Sequence, residues 1–163
     1  MQRALLNLLA AAAAAASLAA FPIAAAGQTD QKPTHAEEVQ HWAEVGIENQ
    51  LKGLKTSLRL TADQEKNWDP FASAVKDAQM ARVLALQKEQ SGTLSPMALN
   101  VAKAERLQES QANLQKIVDA ATPLYTSLDK TQKHKFITQG RMLVPERGQF
   151  AKAMRRVGLS KGD

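Results

Sequence analysis

The 163-residue chain contains no cysteine and few aromatic residues, which make up 4% of the sequence. Without cysteine, no disulfide can stabilise the fold in an oxidising compartment, and no lipid can be attached to a cysteine behind a signal. The core must therefore come from leucine, valine, isoleucine and alanine on packed elements. The sequence also lacks G-x-S-x-G and a glycine-rich phosphate loop, so we expect a protein that is not an enzyme and has no cofactor.

Residues 1–26 have the features of a secretory signal. Arg3 supplies a positive charge, residues 4–20 are mostly alanine and leucine, and Ala24-Ala25-Ala26 offers the small residues that a signal peptidase recognises. The alternative is an uncleaved membrane anchor, because the apolar run is nearly long enough to cross a bilayer. The cleavage site favours removal, so we expect a periplasmic mature protein without a membrane span, beginning near Gly27.

Charge is unevenly distributed along the chain. The acidic residues before residue 50 are Asp30, Glu37, Glu38, Glu44 and Glu48. The chain after Asn49 carries 19 lysines and arginines against 11 aspartates and glutamates. A basic body of this kind attracts nucleic acid, anionic lipid or acidic protein segments. Because export separates the chain from cellular nucleic acid, we expect no nucleic-acid partner.

Helical periodicity and capping residues predict an all-α domain of about four helices over residues 34–140, after a flexible polar lead over residues 27–33. No segment of the mature chain is predicted as a strand. The first helix starts at a capping box, Thr34-x-x-Glu37, and one face carries the apolar residues Val39, Ala43, Ile47, Leu51, Leu54 and Leu58. Short connections favour an antiparallel bundle or helical-hairpin array. The narrow apolar faces favour a thin layer that gains burial by dimerising.

Proline and glycine predict the other boundaries. The second helix is expected to make a short turn after Thr61 and to restart with Asp69 as its cap and Pro70 at its first position. It ends near Gln90.

The third helix is expected to start at Ser95-Pro96 and to end or kink at Pro123. Its apolar members are Met97, Val101, Ala104, Leu107, Leu114, Ile117, Val118 and Ala121. The fourth helix should run from Asp129 to about Gln139. Residues 141–163 are expected to form a basic tail, either a short amphipathic helix or disordered, with disorder at residues 160–163.

Two similar capping boxes occur in the chain, Leu60-Thr61-x-x-Gln64 and Leu128-Asp129-x-x-Gln132. In such a box, the cap side chain accepts a hydrogen bond from the glutamine N–H, and the glutamine side chain accepts one from the cap N–H. An aromatic residue follows each box. The motif positions that we single out are Leu60, Thr61, Gln64, Trp68, Leu128, Asp129 and Gln132, with Phe136 after the second box.

This pattern in a small helical chain with an export signal resembles the LTxxQ-motif family of periplasmic proteins, which includes Spy/CpxP-like chaperones and stress-response factors. The first box fits the family motif fully, whereas Asp129 replaces threonine in the second. The resemblance covers roughly residues 39–136. It implies a thin, cradle-shaped homodimer that binds partly unfolded proteins without ATP. The alternative is a periplasmic metal-sensing or signalling adaptor on the same helical fold.

Basic residues on the first two long helices are the candidate client-binding groups. They are Lys52, Lys55, Arg59, Lys76 and Arg82. Charge would speed the capture of unfolded chains, while scattered apolar groups would give weak, sequence-tolerant affinity. The alternative is that these cations only keep the surface soluble.

The candidate metal ligands are His35 and His41. Together with Glu38 they can share one side of the first helical turns, although six residues is a poor interval for one helix face. A structural zinc site needs four ligands, and this spacing supplies at most three. We therefore expect no metal site.

Overall fold

The computed structural model describes residues 33–159; the expected signal, most of the polar lead and residues 160–163 lie outside this range. Every regular element in the described range is helical, which confirms the all-α prediction. The α-helices are α1 (His35–Leu58), α2 (Ala62–Glu65), α3 (Trp68–Gln90), α4 (Pro96–Ser127), α5 (Lys130–Lys135) and α6 (Arg147–Leu159). A π-helical turn (Phe136–Gly140) and a 3₁₀ turn (Arg141–Leu143) join α5 to α6.

The three long helices form one layer, in which α3 lies between α1 and α4. At the end of α3, Gln87 Nε2 donates to the carbonyl of Ala36 at the start of α1 at 3.0 Å. Nearer the start of α3, Lys76 contacts Glu48 at 2.8 Å. These contacts make α1 and α3 antiparallel. The short connection to α4 continues the antiparallel hairpin pattern.

One end of the layer, which we call the closed end, comprises residues 47–78 and 114–159. There α5, the two turns and α6 cover the long helices. Phe136 lies at the centre, with its ring 5.0 Å from that of Phe71 and 6.0 Å from that of Phe150. The other large, fully buried side chains are Leu58, Val75, Ile117, Leu124, Val144 and Met154.

The opposite end, the open arm, comprises residues 33–46 and 79–113. It contains only the three long helices and the connection between α3 and α4, so the layer is one helix thick. Within these two ranges, which are fully described, Ala102 is the only buried residue. The large apolar side chains that remain exposed there are Val39, Trp42, Leu84, Met97, Val101 and Leu107.

The expected cap of α3 is wrong by two residues. Asn67 rather than Asp69 precedes the helix, and Pro70 is its third residue. Lys66 already has helical backbone angles, so the chain enters α3 directly from α2. The first N–H groups of a helix have no intrahelical partner, and Pro70 therefore removes no hydrogen bond there.

Pro123 does not end α4, which continues to Ser127. Leu124 and Tyr125 follow the proline directly, and both are buried in the core of the closed end. Their burial outweighs the one backbone hydrogen bond that the proline removes.

The expected apolar face of α4 is half wrong. Ile117 and Ala121 are buried as predicted, but Met97, Val101 and Leu107 are exposed. In that half of α4, Ala102 and Arg106 are turned toward α3, and no other helix of residues 33–159 covers Met97, Val101 or Leu107. Periodicity identifies one face of a helix, but it does not show whether another element covers that face.

The basic segment after residue 140 is part of the core. Phe150 and Met154 of α6 are fully buried, and α6 packs against α4 and both turns. The disordered alternative is therefore wrong for residues 147–159. The helical spacing of Phe150 and Met154 among the cations had indicated the other alternative, an amphipathic helix, which the structure forms as α6. The fourth predicted helix is also shorter than expected, because the α-helical hydrogen-bond pattern ends at Lys135.

Candidate functional site

Both predicted capping boxes are formed, at the starts of α2 and α5. The Thr61 N–H donates to Gln64 Oε1 at 3.0 Å, and the Gln64 N–H donates to Thr61 Oγ1 at 3.4 Å. In the second box, the Asp129 N–H donates to Gln132 Oε1 at 3.0 Å, and the Gln132 N–H donates to Asp129 Oδ1 at 2.7 Å. An aspartate thus gives the same cap geometry as threonine, with a shorter bond.

The two boxes also bind each other through their glutamines, which we call the glutamine clasp. Gln64 Nε2 donates to Gln132 Oε1 at 2.9 Å, and Gln132 Nε2 donates to Gln64 Oε1 at 3.0 Å. Each carboxamide therefore bonds to its own cap and to the opposite glutamine. The clasp joins the start of α2 to the start of α5.

The remaining N–H group of each carboxamide closes the network. Gln64 donates to the carbonyl of Ser127 at 2.8 Å, and Gln132 donates to the carbonyl of Leu58 at 3.0 Å. These carbonyls lie at the ends of α4 and α1, where helices leave acceptors unpaired. Both glutamines are buried, and every buried side-chain polar atom in residues 33–159 has a hydrogen-bond partner. A satisfied buried network of this kind fixes one arrangement of the elements that it joins.

The apolar residues of the motifs support the clasp from the core side. Leu128 and Trp68 are buried, Leu60 is partly buried, and the Trp68 ring lies 5.6 Å from that of Phe71. The motif positions therefore hold the closed end together. Sequence analysis predicted the caps but missed the contact between them; the signal available was a glutamine at the same position of both boxes.

The predicted client-binding cations fall into two groups. Lys76 binds Glu44 at 2.6 Å and Glu48 at 2.8 Å, and these hydrogen bonds raise the pKa of Lys76 above its usual value. Lys55 lies 3.5 Å from Glu65. Both charges are thus locally neutralised.

The other predicted cations are Lys52, Arg59 and Arg82. They are exposed, and none of them has a carboxylate within 4.0 Å among the described residues. Arg59 also caps the C-terminus of α1 in the left-handed conformation (φ 50°, ψ 57°), which costs a non-glycine residue about 1 kcal/mol. Its backbone thereby turns the chain toward the first box. Client binding by these residues stays a prediction.

An apolar stripe on α4 is exposed, whereas the sequence pattern had placed its residues on the apolar face of the helix. Its members are Met97, Val101, Ala104 and Leu107, which recur at the helical interval on the side of α4 away from α3. The residue pattern itself was the signal. What it could not indicate was that no element of the described chain covers the stripe.

The histidine candidates lie in the open arm. His35 and His41 are both exposed, and the His41 ring contacts that of Trp42 at 5.4 Å. Among the residues that the structure describes, no three histidine, aspartate or glutamate side chains are placed to share a metal ion. The geometry thus gives these histidines no common site.

Between residues 33 and 159, no helix combines the length and apolar character needed to cross a bilayer.

Comparison with known proteins gives a family but no individual relative. Searches of curated proteins and of solved structures give no match. A family model described as LTXXQ motif family protein matches residues 46–140, more than half of the chain, and this span includes both capping boxes. Membership is consistent with a stress-related protein outside the cytoplasm. The chain, with its two boxes joined by the glutamine clasp, belongs to the LTXXQ motif family.

Proposed function

We propose that this protein is a periplasmic, Spy/CpxP-like chaperone that holds partly unfolded proteins without ATP and without catalysis, after removal of residues 1–26. Family membership supports the stress-related role and the compartment. The open arm supports the holding activity, because it combines apolar and basic groups on a thin, accessible layer.

The observation that carries the proposal is the exposed apolar stripe of α4. Met97 is 79% exposed, Val101 52% and Leu107 59%. Apolar burial is non-directional and stabilises contact by roughly 25 cal/mol per Å². A stripe of this kind therefore binds apolar segments of many sequences with modest affinity, as holding of unfolded chains requires.

Cations of the open arm supply the second element of the proposal. Arg82, Lys88 and Lys103 are exposed on α3 and α4. Positive charge increases the rate of encounter with acidic unfolded chains, and salt screens this attraction. Capture would then depend on charge, and holding on the apolar stripe.

The alternative, a metal-sensing or signalling adaptor, has no specific observation in its favour. The two candidate histidines lie exposed, and the described residues give them no third ligand.

The decisive experiment measures light scattering by a denatured client with and without the protein. Val101→Ser with Leu107→Ser removes apolar groups from the stripe. Met142→Ser is the matched control, because Met142 is as exposed as Val101, at 52%, but lies at the closed end. We expect the double variant to lose most of the suppression and the control to retain it. Equal activity of all three proteins would contradict a role for the stripe, and no suppression by the wild-type protein at any ratio would overturn the function.

Salt separates the two parts of the mechanism. Screening shortens to about 3 Å at 1 M salt, so capture should slow while some apolar holding survives. Arg82→Glu should slow capture more than charge reversal at Lys76, which Glu44 and Glu48 already neutralise. Full activity at 1 M salt would remove charge from the mechanism.

We also propose that the protein forms a homodimer, as the family resemblance implies, and that the exposed stripe lies at its edge. Sedimentation of the Val101→Ser, Leu107→Ser variant tests this. If the variant becomes monomeric but still suppresses aggregation, the stripe is a dimer contact and client binding lies elsewhere.

A further inference from the structure

A concave surface lies at the closed end and is lined by none of the residues of the glutamine clasp. It is formed between the 3₁₀ turn and α6 and has a volume of about 470 Å³. We call it the basic groove. Its lining residues are Arg141, Met142, Arg147, Gly148, Ala151, Lys152 and Arg155.

The spacing of α6 explains the groove. Arg147, Ala151 and Arg155 recur every four residues and therefore share one face of the helix. Gly148 and Ala151 have small side chains, so they leave a depression between the longer basic side chains that line the groove. The opposite face of α6 is fixed in the core by Phe150 and Met154. The cations are thus held on the outer surface of a firmly packed helix.

The charge of the groove is not compensated locally. Arg141, Arg147, Lys152 and Arg155 are exposed, and no carboxylate of the described residues lies within 4.0 Å of them. Lys76 differs from these four, because two glutamates lie 2.6 Å and 2.8 Å from its ammonium group. Four unpaired cations around one groove favour an anionic ligand.

The groove continues into a neighbouring depression that shares Met142 and Arg147 and adds Arg82. Five cations therefore line the two depressions that share Met142, a side chain that is 52% exposed. An apolar side chain among cations suits the headgroup region of a membrane, where phosphates meet the first apolar atoms of the lipid. A free inorganic anion has no apolar atoms that could contact the exposed side chain of Met142.

We propose that the basic groove binds the phosphate groups of anionic phospholipids and places the closed end against a membrane surface. Arginine suits this ligand because its guanidinium binds phosphate through two parallel hydrogen bonds. Since the apolar face of α6 is buried in the core, the attachment is peripheral and reversible. The proposal does not rest on chaperone activity.

The experiment is co-sedimentation with lipid vesicles, using the protein as it is purified from the cells that produce it. Vesicles contain either phosphatidylcholine alone or phosphatidylcholine with about one-third phosphatidylglycerol. The test variant combines Arg147→Gln, Lys152→Gln and Arg155→Gln. The control combines Lys52→Gln, Lys103→Gln and Lys116→Gln, which removes the same charge from exposed positions outside the groove.

We expect binding to the anionic vesicles only, lost at 1 M salt. The groove variant should partition about a hundredfold more weakly, as removal of three surface cations implies, while the control stays within a few-fold of wild type. Met142→Ser should weaken partition by a smaller factor. Melting curves of the variants confirm that α6 remains packed.

Three results would overturn the proposal. The first is an equal loss in the groove and control variants, which would indicate non-specific attraction by net charge. The second is equal binding to neutral vesicles. The third is binding of inorganic pyrophosphate or an acidic peptide by the groove without binding of vesicles, which would assign the groove to a soluble anion or a protein segment instead.

Discussion

The closed end and the open arm are built from the same three long helices, yet within residues 33–159 only the closed end covers those helices with further elements. At the closed end, α5, α6 and two short turns enclose a core around Phe136. In the open arm, the layer is one helix thick, and Ala102 alone is buried. The difference shows that a helix with an apolar stripe is stabilised only where another element covers the stripe.

The unequal burial predicts different local stabilities for the closed end and the open arm. A region with few buried apolar contacts opens locally at low free energy, whereas a packed core opens only with global unfolding. The closed end thus serves as a firm base. The open arm can adapt its surface to a bound chain, which fits the holding function that we propose.

The largest expected contrast is between core and arm truncation. Phe136→Ala removes the central ring of the closed end and should lower the free energy of unfolding by about 3–5 kcal/mol. Leu107→Ala, on the exposed stripe, should change it by less than about 0.5 kcal/mol. Urea unfolding followed by circular dichroism measures both. Similar losses would mean that the arm is packed in solution, for example in a dimer.

The glutamine clasp should give the next largest effect. Gln132→Ala removes the two hydrogen bonds between the glutamines and leaves the carbonyl of Leu58 without its side-chain donor, and we expect a loss of about 2–3 kcal/mol. Gln87→Ala in the open arm is the control; Gln87 also bonds across helices, but water can replace its bonds.

A double-mutant cycle sharpens this test. Gln64→Ala and Gln132→Ala together should destabilise less than the sum of the single changes, with a coupling of about 1 kcal/mol or more. Additive losses in the cycle would show that the two boxes act separately, as simple helix caps.

Removing a capping box should also destabilise the protein more at the closed end than in the open arm. Thr61→Ala should cost about 0.5–2 kcal/mol, because α2 is tied to α5 through the clasp. Thr34→Ala should shift the melting temperature less, since the first turn of α1 can fray without disturbing the core. We expect both variants to keep their holding activity per folded molecule. Loss of that activity in Thr61→Ala at an unchanged melting temperature would assign the motif a direct function.

The smallest effect concerns Lys76, which joins α3 to α1 through Glu44 and Glu48. The hydrogen bond from Lys76 lowers the pKa of Glu44 below its ordinary 4.5, so this stabilisation is present above pH 4.5 and is lost as pH falls further. The pKa of Lys76 is raised above 10.5, so its share is present below that pH and is lost in strong alkali. Lys76→Met should therefore lower the melting temperature slightly at pH 7 and less at pH 3. An equal difference at both pH values would show that the ion pair contributes nothing.

Local chemistry determined much of this protein from the sequence alone. The caps at Thr34, Thr61 and Asp129 depend on residues three apart, and the structure forms all three boxes. Periodicity placed the core face of α1 correctly at Ile47, Leu51, Leu54 and Leu58. These features follow from the sequence because backbone hydrogen bonds and helix geometry act over a few residues.

Tertiary structure decided what those local elements meet. The clasp joins Gln64 to Gln132 across 68 residues of chain, and no local rule pairs them. Coverage also decided that α4 continues past Pro123, that Phe150 fills the core, and that the stripe around Val101 lies exposed. Burial is a property of the neighbours that a residue acquires on folding, and the pattern of one helix does not contain them.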